Sequence, residues 1–179
     1  RAKQLTPRRL PEIGRRFGAG TLRLYVLFMG AAADDIEWSD RGVGGQRRCI
    51  DRLWRLVGGL PGGGLSPRPE HGTLDDPLAL ELVRKAEATI AKVTEDISER
   101  FSFHTAISAV QELVNLGTKG VSEGTVASEG ARAALRYAAQ TAVSLLLRGV
   151  VASAARARRD ESWSTTMSRP GTESSMRSW

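Results

Sequence analysis

Apolar residues recur at helical spacing through most of the chain and predict an all-α protein. Between Pro77 and Arg100 they return every three or four positions, which places them on one narrow stripe of a helix. A second stripe runs from Phe103 to Gly117 after a connection of only a few residues, so we expect two antiparallel neighbouring helices. The alanine-rich residues Ala131–Ala157 predict a closing helix, in which small side chains allow close approach of the backbones.

Before this pair the pattern predicts shorter elements. Leu10–Phe17 indicates a short helix, with Pro11 suited to its first turn and Gly18 following its end. Thr21–Met29 is apolar nearly all round, a pattern that a buried helix and a core strand share. On the residues alone these two alternatives stay open. The whole pattern predicts an antiparallel bundle of four or five helices.

A basic amphipathic helix is predicted next, with Ser39 and Asp40 as candidates for its N-cap and Trp38 packing just before it. Its apolar residues share one stripe, and its arginines lie mostly off that stripe. We expect the stripe, including its tryptophan, to pack in the core. The stripe comprises Ile50, Leu53, Trp54 and Val57, and the arginines are Arg47, Arg48, Arg52 and Arg55.

In three segments the apolar residues do not recur at regular spacing. Residues 1–9 are predicted to be an extended lead-in, and residues 158–179, rich in Ser, Thr and Arg, a disordered tail. Residues 58–76 contain six glycines and three prolines, which indicates a flexible connector. The predicted domain therefore covers residues 10–157, with this connector inside it.

Composition is ordinary for one globular domain, with 41% hydrophobic and 26% charged residues among 179. The net charge of +6 is uneven, because residues 1–55 and 132–159 each carry +6 and residues 56–131 carry −5. Two basic blocks beside an acidic middle suit a polyanionic partner. Solvated helix faces are the simpler explanation of the charge taken by itself.

Few residues are available for catalysis or metal binding. Cys49 is the only cysteine, and His71 and His104 are the only histidines, so disulfides, cysteine metal clusters and histidine-rich metal sites are excluded. Paired carboxylates such as Glu95–Asp96 fit turns and caps. No apolar run is long enough for a membrane span and no secretory signal is visible, so we expect a cytoplasmic protein. The chain begins with Arg1 rather than Met, which we interpret as a fragment.

Several ordered sequence words add a more specific signal. In chain order they are G-A-x-T-L-R-L-Y at Gly18–Tyr25, L-F-M-G at Leu27–Gly30, D-I-E-W-S-D at Asp35–Asp40, G-V at Gly42–Val43, R-L-W-R-L-V at Arg52–Val57, T-I-x-K-V-T-E-D-I at Thr89–Ile97, F-x-F-x-T-A-I at Phe101–Ile107 and E-L-V-N at Glu112–Asn115. With these words the chain resembles the leucyl-tRNA synthetase family just after its catalytic domain. Gly20, Ala31, Ala32 and His104 depart from the family pattern.

The resemblance implies a helical bundle of the class I anticodon-binding type, with Thr21–Met29 as a helix. It implies two partners, tRNA and the catalytic domain of the parent synthetase, and no membrane. The parent enzyme uses ATP, but its H-I-G-H and K-M-S-K-S motifs are not in these residues. We therefore expect no cofactor in this chain and no activity from it alone. Arg47, Arg48, Arg52 and Arg55 are the expected contacts to tRNA phosphates, and a plain solvated face is the alternative for them.

Three hypotheses of function follow. The first is the tRNA-docking domain of an ATP-dependent leucine–tRNA ligase, the second is a stand-alone helical module that binds RNA or protein, and the third is a remnant of a frameshifted gene. In the resembled family Leu145–Leu147 would be followed by a proline-containing turn and a helix ending in E-E-L-W, which this sequence lacks. We expect the reading frame to be lost shortly after Leu147. The nucleotide sequence tests this, since a shifted frame should restore family-like words.

Overall fold

A computed structural model describes residues 10–29, 38–60, 67–69, 74 and 76–147. Within these residues it contains six α-helices and no β-strand, which confirms the all-α prediction and adds one helix to the largest number expected. The helices are α1 Leu10–Phe17, α2 Ala19–Phe28, α3 Asp40–Gly58, α4 Pro77–Ser98, α5 Phe103–Ser122 and α6 Glu129–Ser144. None of them is both long and apolar enough to cross a bilayer.

Several predicted features fall on residues that are not described. The lead-in at 1–9, most of the connector at 58–76 and the tail at 158–179 lie outside the described residues, as does the end of the predicted helix 131–157. Over Thr21–Phe28 the strand alternative is wrong, because these residues form most of α2. Helix α5 continues past Gly117, where its end was predicted. The helix tolerates this glycine because α5 packs closely on its neighbours at that position.

The main core lies between α4, α5 and α6. Buried Leu, Val, Ile and Ala side chains from all three helices form a single cluster, as the stripes predicted. Small residues set the spacing: a Cβ added at Gly117 would lie 3.1 Å from Leu135 Cδ1 and 3.3 Å from Leu56 Cδ2. Helix α6 buries Ala134 and Ala138 almost completely. The alanine-rich pattern therefore allows the close approach that the sequence indicated.

One carboxylate links the N-caps of two helices of this core. Asp76 Oδ1 accepts a hydrogen bond from the backbone N–H of Leu78 at 2.9 Å, at the start of α4. Asp76 Oδ2 accepts from the Ser128 hydroxyl at 3.0 Å, and Ser128 Oγ in turn accepts from the Ala131 N–H at 3.0 Å. The N-termini of α4 and α6 are thereby joined. Both helices run antiparallel to α5.

The last turns of α4 contain a buried acid. Asp96 is almost fully buried, and its carboxylate lies 3.2 Å from Lys92 Nζ. Burial raises the pKa of this carboxyl, but the nearby Thr105 side chain and the charges of Lys92 and Arg100 outweigh it and lower the pKa below its ordinary value. The backbone carbonyl of Asp96 also accepts from Ser102 N–H at 2.9 Å. Glu95 and Asp96 therefore lie at the end of α4, where their contacts with Lys92 and Arg100 are structural.

The predicted core stripe of α3 is only partly correct. The buried residues of α3 are Val43, Gln46, Cys49 and Leu56, while Ile50 and Leu53 are half-buried against the core. Trp54 is 79% exposed and Val57 42% exposed, so the prediction that these two pack in the core is wrong. The physical reason is that their side of α3 faces a groove that the described residues leave open.

Candidate nucleic-acid interface

An aromatic corner fixes the start of α3. The ring of Trp38 packs edge-on against Tyr25, with centroids 4.9 Å apart and an interplanar angle of 83°. The Tyr25 hydroxyl oxygen accepts from the Ser39 N–H at 2.9 Å, and the Trp38 indole N–H donates to Asp40 Oδ1 at 2.7 Å. Two buried rings therefore anchor the residues on which α3 begins. The sequence predicted this corner from the same tryptophan.

The first turn of α3 is capped as predicted and is packed tightly. Ser39 is the N-cap, and its Oγ accepts from the Gly42 N–H at 3.2 Å. Asp40 is the first helical residue, where a negative charge interacts favourably with the helix dipole. A Cβ at position 42 would lie 2.6 Å from Tyr25 Cε2, so only glycine fits there. The tyrosine and this glycine together set the distance between α2 and α3.

The middle of α3 is held against α5. The side-chain amide of Gln111 donates to Gln46 Oε1 at 2.8 Å, and Gln46 is buried. Leu56 then packs over Gly117. Because α3 is attached along its length, its exposed side chains are presented from a fixed backbone.

Arg47 differs from the other three predicted arginines. Its Nε donates to Asp51 Oδ1 at 2.9 Å and Oδ2 at 3.1 Å, and its Nη1 donates to the carbonyl of Phe17 at 3.2 Å. That carbonyl is at the end of α1. The side chain therefore connects α1 to α3, and half of it remains exposed to solvent.

Arg48 and Arg55 are exposed on one side of α3. The Arg55 Nε–H donates to the carbonyl of Asp51 at 3.3 Å, and the Arg48 guanidinium lies beside the backbone of Gly44 and Gly45. Neither contact removes the charge from solvent. Both side chains can therefore reach a partner that lies along this side of the helix.

Arg52 is half-buried beside Cys49. Burial raises the pKa of the Cys49 thiol, and the nearby Arg52 guanidinium opposes this rise without cancelling it. A buried thiol of raised pKa carries little thiolate at neutral pH, which argues against a catalytic cysteine and agrees with the expected packing role. Arg52 is the least accessible of the four predicted arginines.

Arg41 is a candidate that the sequence reasoning missed. It is exposed in the first turn of α3, seven residues before Arg48, which is itself seven residues before Arg55. Residues seven positions apart on a helix differ in direction by only about 20° around the helix axis, and they lie about 10.5 Å apart along it. We call Arg41, Arg48 and Arg55 the arginine row. Its seven-residue spacing was visible in the sequence but was not used.

The row lies in the basic half of the protein. Described residues of 10–60 contain eight arginines and three carboxylates, a net charge of +5. Helices α4 and α5 together contain four cations and five carboxylates, a net charge of −1. A positive potential therefore concentrates around α1, α2 and α3.

This arrangement is suited to binding anions. In the described part of the chain, no group of three or more His, Cys, Asp or Glu side chains could hold a metal ion. An arginine presents five N–H donors in a planar fork that matches a phosphate. The row therefore matches the chemistry of a phosphate backbone, and its fixed spacing favours an extended partner over a single small anion.

Among curated proteins, the chain is similar to leucine–tRNA ligases. It is 48% identical over 104 residues to the leucine–tRNA ligase of Syntrophobacter fumaroxidans, covering 56% of this chain and 12% of that protein. It is 44% identical over 107 residues to the one from Oleidesulfovibrio alaskensis, covering 58% and 13%. With that of Nitratidesulfovibrio vulgaris strain DP4 it shares 40% over 138 residues, covering 75% and 16%. No family model matches the chain.

A solved structure supports the fold. The LeuRS chain in the crystal structure of the Agrobacterium radiobacter K84 agnB2 LeuRS–tRNA–LeuAMS ternary complex superposes with a TM-score of 0.63 and 24% sequence identity. The match covers 89% of this chain and 20% of that one. The chain is thus homologous to a segment of leucine–tRNA ligases and spans 12–16% of the length of the curated relatives it matches.

Proposed function

We propose that this homologue of a leucine–tRNA ligase segment is the part of such an enzyme that docks tRNA, and that it does so through the arginine row of α3. The observation that carries the proposal is the row itself: Arg41, Arg48 and Arg55 are exposed at equal intervals on a helix that is fixed along its length. Its setting in the basic half of the protein supports the same conclusion. The structural relative whose fold it shares was crystallised with tRNA.

The proposed contact positions RNA and does not read its sequence. Guanidinium groups spaced by two helical turns meet phosphates along a strand or across a groove, and such contacts fix register and orientation. Each neutralised phosphate releases condensed counterions, which makes the affinity depend on salt. Recognition of leucine and of its tRNA identity would then come from other parts of a full ligase.

The ligase reaction itself is assigned to the longer protein. Leucine activation with ATP needs the H-I-G-H and K-M-S-K-S motifs, which this sequence does not contain. In our proposal this chain contributes the orientation of tRNA toward a catalytic domain encoded on the same polypeptide.

The proposal is tested by electrophoretic mobility shift with a leucine tRNA transcript at salt concentrations from about 50 to 200 mM. Three phosphate contacts predict a slope of log affinity against log salt of about −2 to −3, and the Arg48→Ala, Arg55→Ala double variant should lower its magnitude to about 1. Arg84→Ala is the matched control, since Arg84 is an exposed arginine on α4. Absence of binding at low salt would refute tRNA docking. An equal loss of slope in the control would refute its assignment to α3.

A further inference from the structure

A small pocket opens at the end of the arginine row. Helices α3 and α5 end beside it, α6 begins beside it, and its volume is about 230 Å³. Arg55, the last member of the row, forms part of its wall, so the pocket continues the surface that we assign to RNA. We call it the Arg55 pocket. Its lining includes Arg55, Leu56, Val121, Val126, Arg132 and Leu135.

Most of the lining of the Arg55 pocket is apolar. Leu56 and Leu135 are buried and pack against Gly117, whereas Val121 is 51% exposed. Leucine and valine side chains offer no hydrogen bond to a ligand, so a small hydrated anion would lose water there without replacement. A ligand that fits this pocket must therefore present an apolar or aromatic face to it.

Two arginines form the polar side of the pocket. The Arg55 Nε–H donates to the carbonyl of Asp51, but a guanidinium has five N–H donors, so this contact occupies a small part of them. The Arg132 guanidinium donates to the carbonyl of Ala127 at 2.7 Å and to Glu129 Oε2 at 3.4 Å. Its side chain is still 45% exposed. The ligand must therefore also carry hydrogen-bond acceptors or negative charge.

The acid next to the pocket does not cancel this positive charge. Glu129 accepts from Arg136 Nη2 at 2.9 Å as well as from Arg132, and these two arginines hold its pKa below the ordinary value. The ion pair of Lys119 and Glu123 at the end of α5 adds no net charge. Together with the arginine from the row, the cluster has three guanidiniums and one carboxylate, a net charge of +2.

We propose that the Arg55 pocket holds the base of one unpaired nucleotide in an RNA that lies along the arginine row. The flat faces of the base pack against leucine and valine, and its carbonyl oxygens accept hydrogen bonds from Arg132. Arg55 binds the phosphate of the same nucleotide. Packing of this kind selects an unstacked base by shape and tolerates different bases. The inference rests on the proposed function in placing RNA on the row.

Other ligands match only part of this lining. Free phosphate has no apolar face, and an acyl chain has no acceptor for the two guanidiniums. An acidic peptide with a leucine side chain has both, but it gives no reason for the pocket to adjoin three arginines at equal intervals. A free mononucleotide presents the same chemistry as a nucleotide of RNA, so the experiment must separate these two sources.

The first test compares two RNA hairpins of equal length, one with a continuous stem and one with a single unpaired uridine in its stem. Binding to the full 179-residue chain is measured by mobility shift at about 50 mM salt. The hairpin with the unpaired uridine should bind about five- to tenfold more tightly. Arg48→Ala should weaken both complexes by the same factor, because Arg48 belongs to the row and does not line the pocket.

Two variants of the pocket should remove this preference. Val121→Asp places a carboxylate at an exposed position of the lining, and Arg132→Gln removes a positive charge but keeps a side-chain donor. In both variants the two hairpins should bind with affinities within about twofold of each other. Val26→Asp is the matched control, since Val26 is an exposed valine on α2 outside the pocket, and it should keep the preference.

The second test follows the methyl resonances of Val121 and Leu135 by NMR during titration of the full chain. Uridine monophosphate should shift both resonances, and inorganic phosphate should shift neither, because phosphate has no part that enters an apolar pocket. The shifts should be lost in Val121→Asp for the remaining Leu135 resonance. This readout requires no hairpin and therefore tests the pocket independently of the row.

The outcomes separate this inference from the proposed function. Equal affinity for the two hairpins, with no methyl shift from the mononucleotide, would overturn the inference and leave docking on the row intact. Methyl shifts from the mononucleotide without binding of either hairpin would support a nucleotide site and refute the proposed function. Shifts caused by an acidic, leucine-containing peptide, but by neither the mononucleotide nor the hairpins, would overturn the inference in favour of a protein partner.

Discussion

The contact between Gly42 and Tyr25 makes a sharp prediction, because the structure excludes a single methyl group. A Cβ at position 42 would lie 2.6 Å from Tyr25 Cε2 and 3.3 Å from both Cζ and the hydroxyl oxygen. The ring cannot retreat easily, since Tyr25 is buried, packs on Trp38 and accepts a hydrogen bond from Ser39. Gly42→Ala must therefore move either the ring or α3 itself.

The expected change in the free energy of unfolding combines opposing contributions. Overpacking a filled site costs about 1–3 kcal/mol. Loss of the hydrogen bond from Ser39 N–H to Tyr25 destabilises the fold by about a further 1 kcal/mol. The higher helix propensity of alanine stabilises it by about 1 kcal/mol or less. We expect Gly42→Ala to lower the free energy of unfolding by about 1–3 kcal/mol.

Urea denaturation of the full chain, followed by circular dichroism, measures this change. Gly44→Ala is the matched control on the same helix, because its Cβ would meet only Arg48 Nη1 at an ordinary 3.6 Å. The control should be neutral or stabilised by up to about 1 kcal/mol. If Gly42→Ala is as stable as Gly44→Ala, the tyrosine does not fix the spacing of α2 and α3.

Two further predictions concern charged groups. Arg47→Ala should destabilise the chain by about 1 kcal/mol through loss of the bond from Arg47 to the Phe17 carbonyl. The same variant should leave the salt dependence of tRNA binding unchanged. If Arg47→Ala lowers the salt slope as much as Arg48→Ala does, the structural role assigned to Arg47 is contradicted. The pKa of Asp96 is lowered in the folded state, so its contribution to stability is present above the unfolded pKa of about 3.9 and is lost as pH falls through the folded value. Asp96→Asn should flatten the fall in stability between about pH 5 and 3, and an unchanged pH profile would contradict this.

Local sequence signals predicted the corner and the long helices well. The Ser39 cap, the packing of Trp38 and the stripes of α4 and α5 each depend on neighbours in the chain, which a sequence shows directly. For α2 the residues alone did not distinguish a helix from a strand. The segment is apolar nearly throughout, so it lacks the alternation of apolar and polar positions from which a period is read. Only the resemblance to a known family indicated the helix.

Features that depend on distant contacts were not predictable. Periodicity showed that Trp54 and Val57 share a side of α3, but not whether any element covers that side. The bond from Arg47 to the Phe17 carbonyl crosses 30 positions of the chain, so no local pattern in the sequence indicates it. The seven-residue spacing of Arg41, Arg48 and Arg55 is visible in the sequence, but the predicted set of arginines began at Arg47 and so left Arg41 out.

The double role of Asp76 has a consequence for how the molecule opens. A single carboxylate satisfies the first turn of α4 and, through the Ser128 hydroxyl, the first turn of α6. Fraying of either end therefore removes a partner from the other, and the two first turns should open as one cooperative unit. Amide hydrogens of Leu78 and Ala131 are then expected to share one exchange regime, although more than fifty residues separate them along the chain.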